Sequence, residues 1–124
     1  MQRDTAQRRA IRRALDEAGR PLGALEVLER AQRDVPGLGL ATVYRNIKAL
    51  TEESAVAVVE LPGQPPRFES AGKGHHHHFL CEGCGKLYEL GGCLGGLKEL
   101  LPSGFRLNSH ELLLHGRCRS CGKR

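Results

Sequence analysis

Four imidazoles and two thiols crowd residues 75 to 84, in the run His75-His76-His77-His78-Phe79-Leu80-Cys81-Glu82-Gly83-Cys84. Neutral imidazole nitrogens and thiolate sulfurs are both good metal ligands. Phe79 and Leu80 favour a β-strand, and successive strand side chains point to opposite faces. His76 and His78 then look one way and His75 and His77 the other, so the run can serve two metal sites. Cys81 and Cys84 stand at zinc-knuckle spacing, and Cys118 and Cys121 repeat it near the C-terminus. Two such pairs in one small chain point to a closed tetrahedral thiolate set holding a structural zinc ion. Its ligands must lose protons, so binding should weaken at low pH. The alternatives are free or redox-active thiols, or an iron site of the iron–sulfur or rubredoxin kind.

The elements that would position these donors fall into two halves. A capped helix is expected from Asp4 or Thr5 onward, with Ala10, Ile11, Ala14 and Leu15 as its apolar stripe and Gly19 and Pro21 as its stop. A second helix is expected over 23–32, with Leu25, Val27 and Leu28 facing a core. A third begins near Ala41, with Val43, Ile47 and Leu50 on one face and Thr42, Tyr44, Arg45 and Lys48 mostly on the other. After Glu53 the pattern turns to strands at 55–61 and 67–69, joined by Pro62-Gly63-Gln64-Pro65-Pro66. Three short helices and a hairpin make a winged helix-turn-helix, whose third helix enters a DNA major groove. Ser70-Ala71-Gly72-Lys73-Gly74 reads as a hinge, which sets domains of 1–71 and 72–124. The second is expected to hold strands at 76–81 and 86–90, a short helix over 93–101 and a long strand over 105–116. The fold class is α+β.

At 124 residues the chain has room for two small domains. Each half alone would have a thin core, which metal staples and dimerisation commonly remedy. Net charge is +5, and the first twenty residues hold six arginines (3, 8, 9, 12, 13, 20) against Asp4, Asp16 and Glu17. Such an arm suits a polyanion, nucleic acid before membrane; the plainer reading is a solvated helix face. At the third helix, Thr42 would meet a phosphate near the helix start, Arg45 a guanine edge or phosphate, and Tyr44 a thymine methyl. With Arg8 from the basic arm these form the candidate DNA-binding set. No apolar stretch is long enough to span a bilayer and no signal peptide is visible, so a cytoplasmic location is expected.

Taken together, the chain resembles the ferric uptake regulator (Fur) family of bacterial metal-sensing repressors. The resemblance rests on Thr5-x-Gln7-Arg8, Ala41-Thr42-Val43-Tyr44-Arg45, Arg67-Phe68-Glu69, the histidine run into Cys81-x-x-Cys84-Gly85-Lys86, Gly104-Phe105, His110 and Gly116-x-Cys118-x-x-Cys121. It implies an N-terminal winged helix, a C-terminal α/β dimerisation domain, and a homodimer that binds a palindromic, AT-rich double-stranded DNA operator when its sensory metal is bound. It assigns a regulatory metal to Glu69, His76 and His78, and a third site to His75, His77 and His110.

Three departures from the family pattern stand out. Iron-sensing members supply another histidine between the first two helices, where this chain has Arg20-Pro21-Leu22-Gly23; water or Glu89 is left as the fourth regulatory ligand. The third site commonly includes a glutamate from the following helix, and here Cys93 or Glu99 is the available substitute. Otherwise Cys93 is expected to be a small buried hydrophobe, and His115 a surface residue. Peroxide-sensing members use aspartates around iron, whereas Asp4, Asp16 and Asp34 all precede residue 72. The histidine-rich donor set and a spare thiol favour zinc over iron as the sensed metal. Two other functions compete with a repressor: a metal-buffering module without specific DNA binding, and a hydrolytic zinc enzyme. Against the enzyme, no general base or nucleophile motif appears.

Overall fold

The computed structural model describes residues 5–122 and divides into two compact units, Met1–Lys73 and Gly74–Arg124. Asp4 and Arg3 lie outside the described residues.

In the first unit, α1 (Ala6–Ala18) is capped by Thr5, whose hydroxyl accepts the Arg8 N–H at 3.1 Å. It ends at Gly19, which takes the left-handed conformation (φ 65°) that lacks a Cβ penalty. Helix α2 (Ala24–Ala31) is fixed at its start by Glu26, which accepts the Gly23 N–H and the Arg20 guanidinium. Helix α3 (Leu40–Glu52) follows, then β1 (Val56–Leu61) and β2 (Gln64–Ser70), an antiparallel hairpin. Ala10, Ile11, Leu15, Val27, Val43, Ile47, Leu50, Val56 and Phe68 share one apolar cluster. The helical periodicity therefore finds its core as expected, with one correction: Leu25 is largely exposed, and α2 buries Ala24, Val27 and Ala31 instead. The hairpin turn is also tighter than expected, since Gln64, Pro65 and Pro66 belong to β2. Their prolines are tolerated because the N-terminal part of β2 is exposed, as on a sheet edge. Leu22 and Phe68 exchange two backbone hydrogen bonds at 2.8 Å, adding a one-residue third strand to the hairpin.

In the second unit, β3 (His77–Cys81) is the central strand of the order β4-β3-β5. It pairs antiparallel with β4 (Leu87–Leu90) and parallel with β5 (Leu113–Gly116). Among the described residues of this unit, few side chains are buried: His77, Leu80, Cys81 and Leu87. Two expectations fail here. The helix expected over 93–101 is a single 3-10 turn, Leu97–Leu100. Gly91, Gly92, Gly95 and Gly96 deprive it of helix-forming residues, and Gly96 sits at φ 76°. The strand expected over 105–116 is four residues long. β5 pairs with β3 over residues 113–116, and Phe105 and Leu107, placed outside that ladder, are exposed.

Candidate metal centres

The two Cys-x-x-Cys segments adopt the same turn. Gly85 N–H donates to the Cys81 carbonyl at 2.8 Å, and Gly122 N–H to the Cys118 carbonyl at 2.7 Å. One turn follows β3 and the other follows β5, and because these strands are parallel neighbours both turns arrive at the same sheet end. Ligand atoms of Cys81, Cys84, Cys118 and Cys121 all lie within 4.8 Å of one another, with Cys84 and Cys118 sulfurs 3.9 Å apart. A tetrahedral zinc site with Zn–S bonds of about 2.3 Å sets its sulfurs about 3.8 Å apart, so the donor set fits zinc. Backbone N–H groups of Cys118 and Cys84 donate to the Cys81 sulfur at 3.3 and 3.4 Å and bring its thiol down to about 6. Hydrogen bonding to Cys81 and Cys118, together with burial, pushes the Cys121 thiol up to about 12. A divalent cation at the centre would offset that crowding of negative charge. Two contributors have no signature at the level of residue spacing. Tyr88 hydrogen-bonds to Cys118, a contact that with burial lifts its own hydroxyl to about 12. At Gly83, a Cβ would stand 2.7 Å from Cys121 Cβ.

The histidines alternate as strand geometry requires. His76 and His78 rings lie 4.9 Å apart on one side, and His75 and His77 rings 4.5 Å apart on the other. His76 Nδ1 hydrogen-bonds to the Gly74 carbonyl at 2.8 Å, which makes Nδ1 the protonated nitrogen and turns the Nε2 lone pair outward. Glu89, paired opposite His78, brings a carboxylate oxygen 4.0 Å from that Nε2. Glu69 lies on β2 of the first unit, opposite Ala57, with its side chain buried.

On the other face, His75, His77 and His110 converge with a fourth donor, Cys93. Cys93 is exposed, not buried in a core as its small apolar side chain suggests. Glu99 stands apart from this group, its carboxylate against Gly96. Burial, followed by the neighbouring His75 and His110, holds the His77 imidazole below its ordinary value, which favours the neutral, metal-ligating form.

In the first unit, the outward face of α3 carries exposed Tyr44, Arg45 and Lys48, while Val43, Ile47 and Leu50 face the core. Arg45 donates to the Thr42 hydroxyl at 2.9 Å. The first turn of α3 has no acidic residue of its own to compete for its N-terminal N–H groups. Arg8 is placed differently from the rest of the candidate DNA-binding set. Its guanidinium forms a two-pronged pair with Glu53, just past the end of α3.

The model of the ferric uptake regulator family matches residues 2–115. The chain belongs to the ferric uptake regulator family. The ferric uptake regulation protein of Campylobacter jejuni is 32% identical over 97 residues, covering 76% of this chain and 61% of that protein, so the chain spans about three-fifths of that relative. The ferric uptake regulation protein of Bacillus subtilis is 32% identical over 124 residues, covering 94% of this chain and 83% of the relative. Among solved structures, a zinc-bound manganese uptake regulator superposes with a TM-score of 0.81 at 26% identity, covering 94% of this chain and 91% of that one.

This ferric uptake regulator family member also accounts for its own departure from the family pattern between the first two helices. In the segment Arg20-Pro21-Leu22-Gly23, Leu22 is fully buried and bridges to Phe68, and Arg20 is bound to Glu26 at 2.6 Å. The segment is used for packing, and it offers no metal donor.

Proposed function

We propose that this chain is a metal-dependent, DNA-binding transcriptional repressor of metal-uptake and homeostasis genes, acting as a homodimer. The observation that carries the reading is the outward face of α3, where Tyr44 is half exposed next to Arg45 on a helix whose opposite face is locked into the core. A helix so anchored can present a fixed set of side chains to a major groove. Thr42, Tyr44 and Arg45 make the contacts, and Arg8 holds the end of α3 through Glu53 so that the helix keeps its angle. The wing hairpin β1–β2 lies against the backbone. A two-fold dimer then matches a palindromic, AT-rich operator. Dimerisation is supported by the second unit's thin core and its exposed Leu94, Leu100, Phe105 and Leu114.

The four cysteines hold a structural zinc ion. Glu69, His76 and His78 hold the regulatory ion, and the residue types rather than the cysteine set decide its character: two imidazoles and a carboxylate accept zinc or Fe(II), and the lack of aspartate in 74–124 favours zinc. Occupancy of this set is the switch, selecting the dimer shape that fits DNA. The protein acts in the cytoplasm, and no helix among the described residues is long and apolar enough to cross a membrane.

The test begins with selection of duplexes from a random pool by zinc-loaded protein, followed by gel-shift titration of the selected duplex. Tight binding should require zinc and disappear with a chelator. Tyr44→Ala and Arg45→Ala should each weaken it by roughly 5- to 150-fold, the equivalent of about 1–3 kcal/mol per base contact, with zinc content unchanged. Glu69→Ala should retain the structural zinc and lose the metal response. Weak, salt-labile binding to any duplex, equal with and without metal, would instead indicate a metal-buffering module.

A further inference from the structure

We propose that Ser70 and Asp16 are positioning residues for the regulatory ion: their hydrogen bond ties the end of β2 to α1 and so fixes the direction of the Glu69 carboxylate. The proposal rests on the reading of Glu69 as a ligand of that ion. It goes further because neither Ser70 nor Asp16 belongs to the donor set.

The alternation of β2 carries it. Successive side chains of a strand point to opposite faces, so Phe68 and Ser70 share one face and Glu69 looks the other way. Phe68 enters the apolar cluster to which α1 contributes Ala10, Ile11 and Leu15. The Ser70 hydroxyl donates to Asp16 Oδ1, also on α1, at 2.5 Å. Both neighbours of Glu69 are therefore held on the α1 side. The backbone on either side is fixed as well. Phe68 exchanges its hydrogen bonds with Leu22, Glu69 pairs with Ala57 and Ser70 with Val56. The Ala71 N–H still reaches the Ala55 carbonyl at 3.0 Å, and then Gly72 turns to φ 85° and the chain leaves the hairpin. Ser70 is the last residue of β2, and element ends are where native structure opens first. A side-chain tie at that residue keeps the fraying one position away from Glu69.

The consequence is chemical. A ligand already aimed before the ion arrives loses less freedom on binding, and groups that orient metal ligands carry a measurable share of metal affinity. Asp16 thus acts on the regulatory ion without touching it, its carboxylate committed to the link between helix and strand. The tie also shortens the hinge. Ser70 and Ala71 belong to the hairpin, which leaves Gly72-Lys73-Gly74, with both glycines at positive φ, as the connection.

The test uses full-length protein carrying zinc in the four-cysteine site, titrated with further zinc against a chromogenic chelator. The Glu69→Ala variant defines the share of binding that belongs to the regulatory set. Ser70→Ala should weaken that share by roughly 3- to 10-fold, the range of one hydrogen bond. Ser70→Thr keeps the hydroxyl and should bind as the wild type does. Asp16→Ala should match Ser70→Ala, and the double variant should lose no more than either. Thr5→Ala is the control for stability alone: it removes the cap at the far end of α1 and should leave zinc affinity unchanged. Wild-type affinity in Ser70→Ala, with Glu69→Ala still weakened, would overturn the positioning role and leave the regulatory set standing. Equal losses in Ser70→Thr or Thr5→Ala would overturn it too, by showing a general loosening of the first unit. If Glu69→Ala itself binds as tightly as the wild type, the regulatory set falls and the positioning role falls with it.

Discussion

Gly83 shows how a residue with no donor atom can govern a candidate metal site. It sits inside the first Cys-x-x-Cys turn, and its missing side chain is what lets Cys121 pack against the knuckle, since an added Cβ would come 2.7 Å from Cys121 Cβ and 2.8 Å from its sulfur. The Gly83→Ala substitution has to displace Cys121, one of the four thiolates. Changes beside metal ligands commonly cost 10- to 100-fold in affinity, and roughly that loss is expected here, measured by competition with a chromogenic zinc chelator. An unchanged affinity would mean that Cys121 can leave the set without consequence. Tyr88→Phe makes a milder change at the same site. It removes the hydrogen bond to Cys118 while keeping the ring, so zinc should bind more weakly than in wild type but more tightly than in Gly83→Ala. The cysteine spacing announces the four thiolates but is silent about both neighbours, because a chain distance says nothing about which backbone must approach which sulfur.

At the scale of elements, Glu26 joins the α1–α2 connection to the start of α2. Burial pushes its carboxyl up, but the Arg20 hydrogen bond, the Gly23 N–H and the charges of Arg20 and Arg67 together outweigh this, leaving it below the usual carboxylate range. A carboxyl lowered in the folded state stabilises above its unfolded value, and that contribution is lost as pH falls through the folded one. Thermal unfolding followed by helical circular dichroism should therefore show part of the stability loss below the ordinary carboxylate range flattened in Glu26→Gln. An identical pH profile would show that the pair contributes nothing.

The same scale shows what was legible in the sequence. The stripes Ala10-Ile11-Ala14-Leu15 and Val43-Ile47-Leu50 are buried by neighbouring helices in the same unit, so their period translated directly into structure. The histidine alternation translated equally well, because it needed only the two-residue repeat of one strand. The second unit's leucines 94, 100, 107 and 114 have no such partner and are exposed in the single chain. Apolar spacing says that a side chain will be covered, without saying by what. The Leu22–Phe68 bridge was equally illegible, since a one-residue strand has no repeat to read. Phe68→Ala tests its weight: truncating a buried aromatic typically costs about 3–5 kcal/mol. The Phe68→Ala variant should lower the first unit's unfolding midpoint without altering zinc content.

Across the whole molecule, secondary structure and metal chemistry are segregated. The three α-helices among the described residues, Ala6–Ala18, Ala24–Ala31 and Leu40–Glu52, all belong to the first unit, which has a shared apolar cluster that holds no metal donor. Among the described residues, the second unit has three short strands, four buried side chains and two candidate donor groups of its own. A fold with so small a core would depend on metal at the candidate four-cysteine site, because binding energy at a closed thiolate site is folding energy. Stripping metal with a strong chelator at neutral pH should therefore leave the helical far-ultraviolet signal nearly intact while the second unit opens. Amide hydrogen exchange would locate the change, with protection lost across His77–Cys81, Leu87–Leu90 and Leu113–Gly116 and retained in the helices. Adding back zinc should restore protection to the strands at close to one equivalent, since the four-cysteine set joins the ends of β3 and β5. If helical signal and strand protection disappear together, the two units fold as one, and metal dependence cannot be assigned to the second alone.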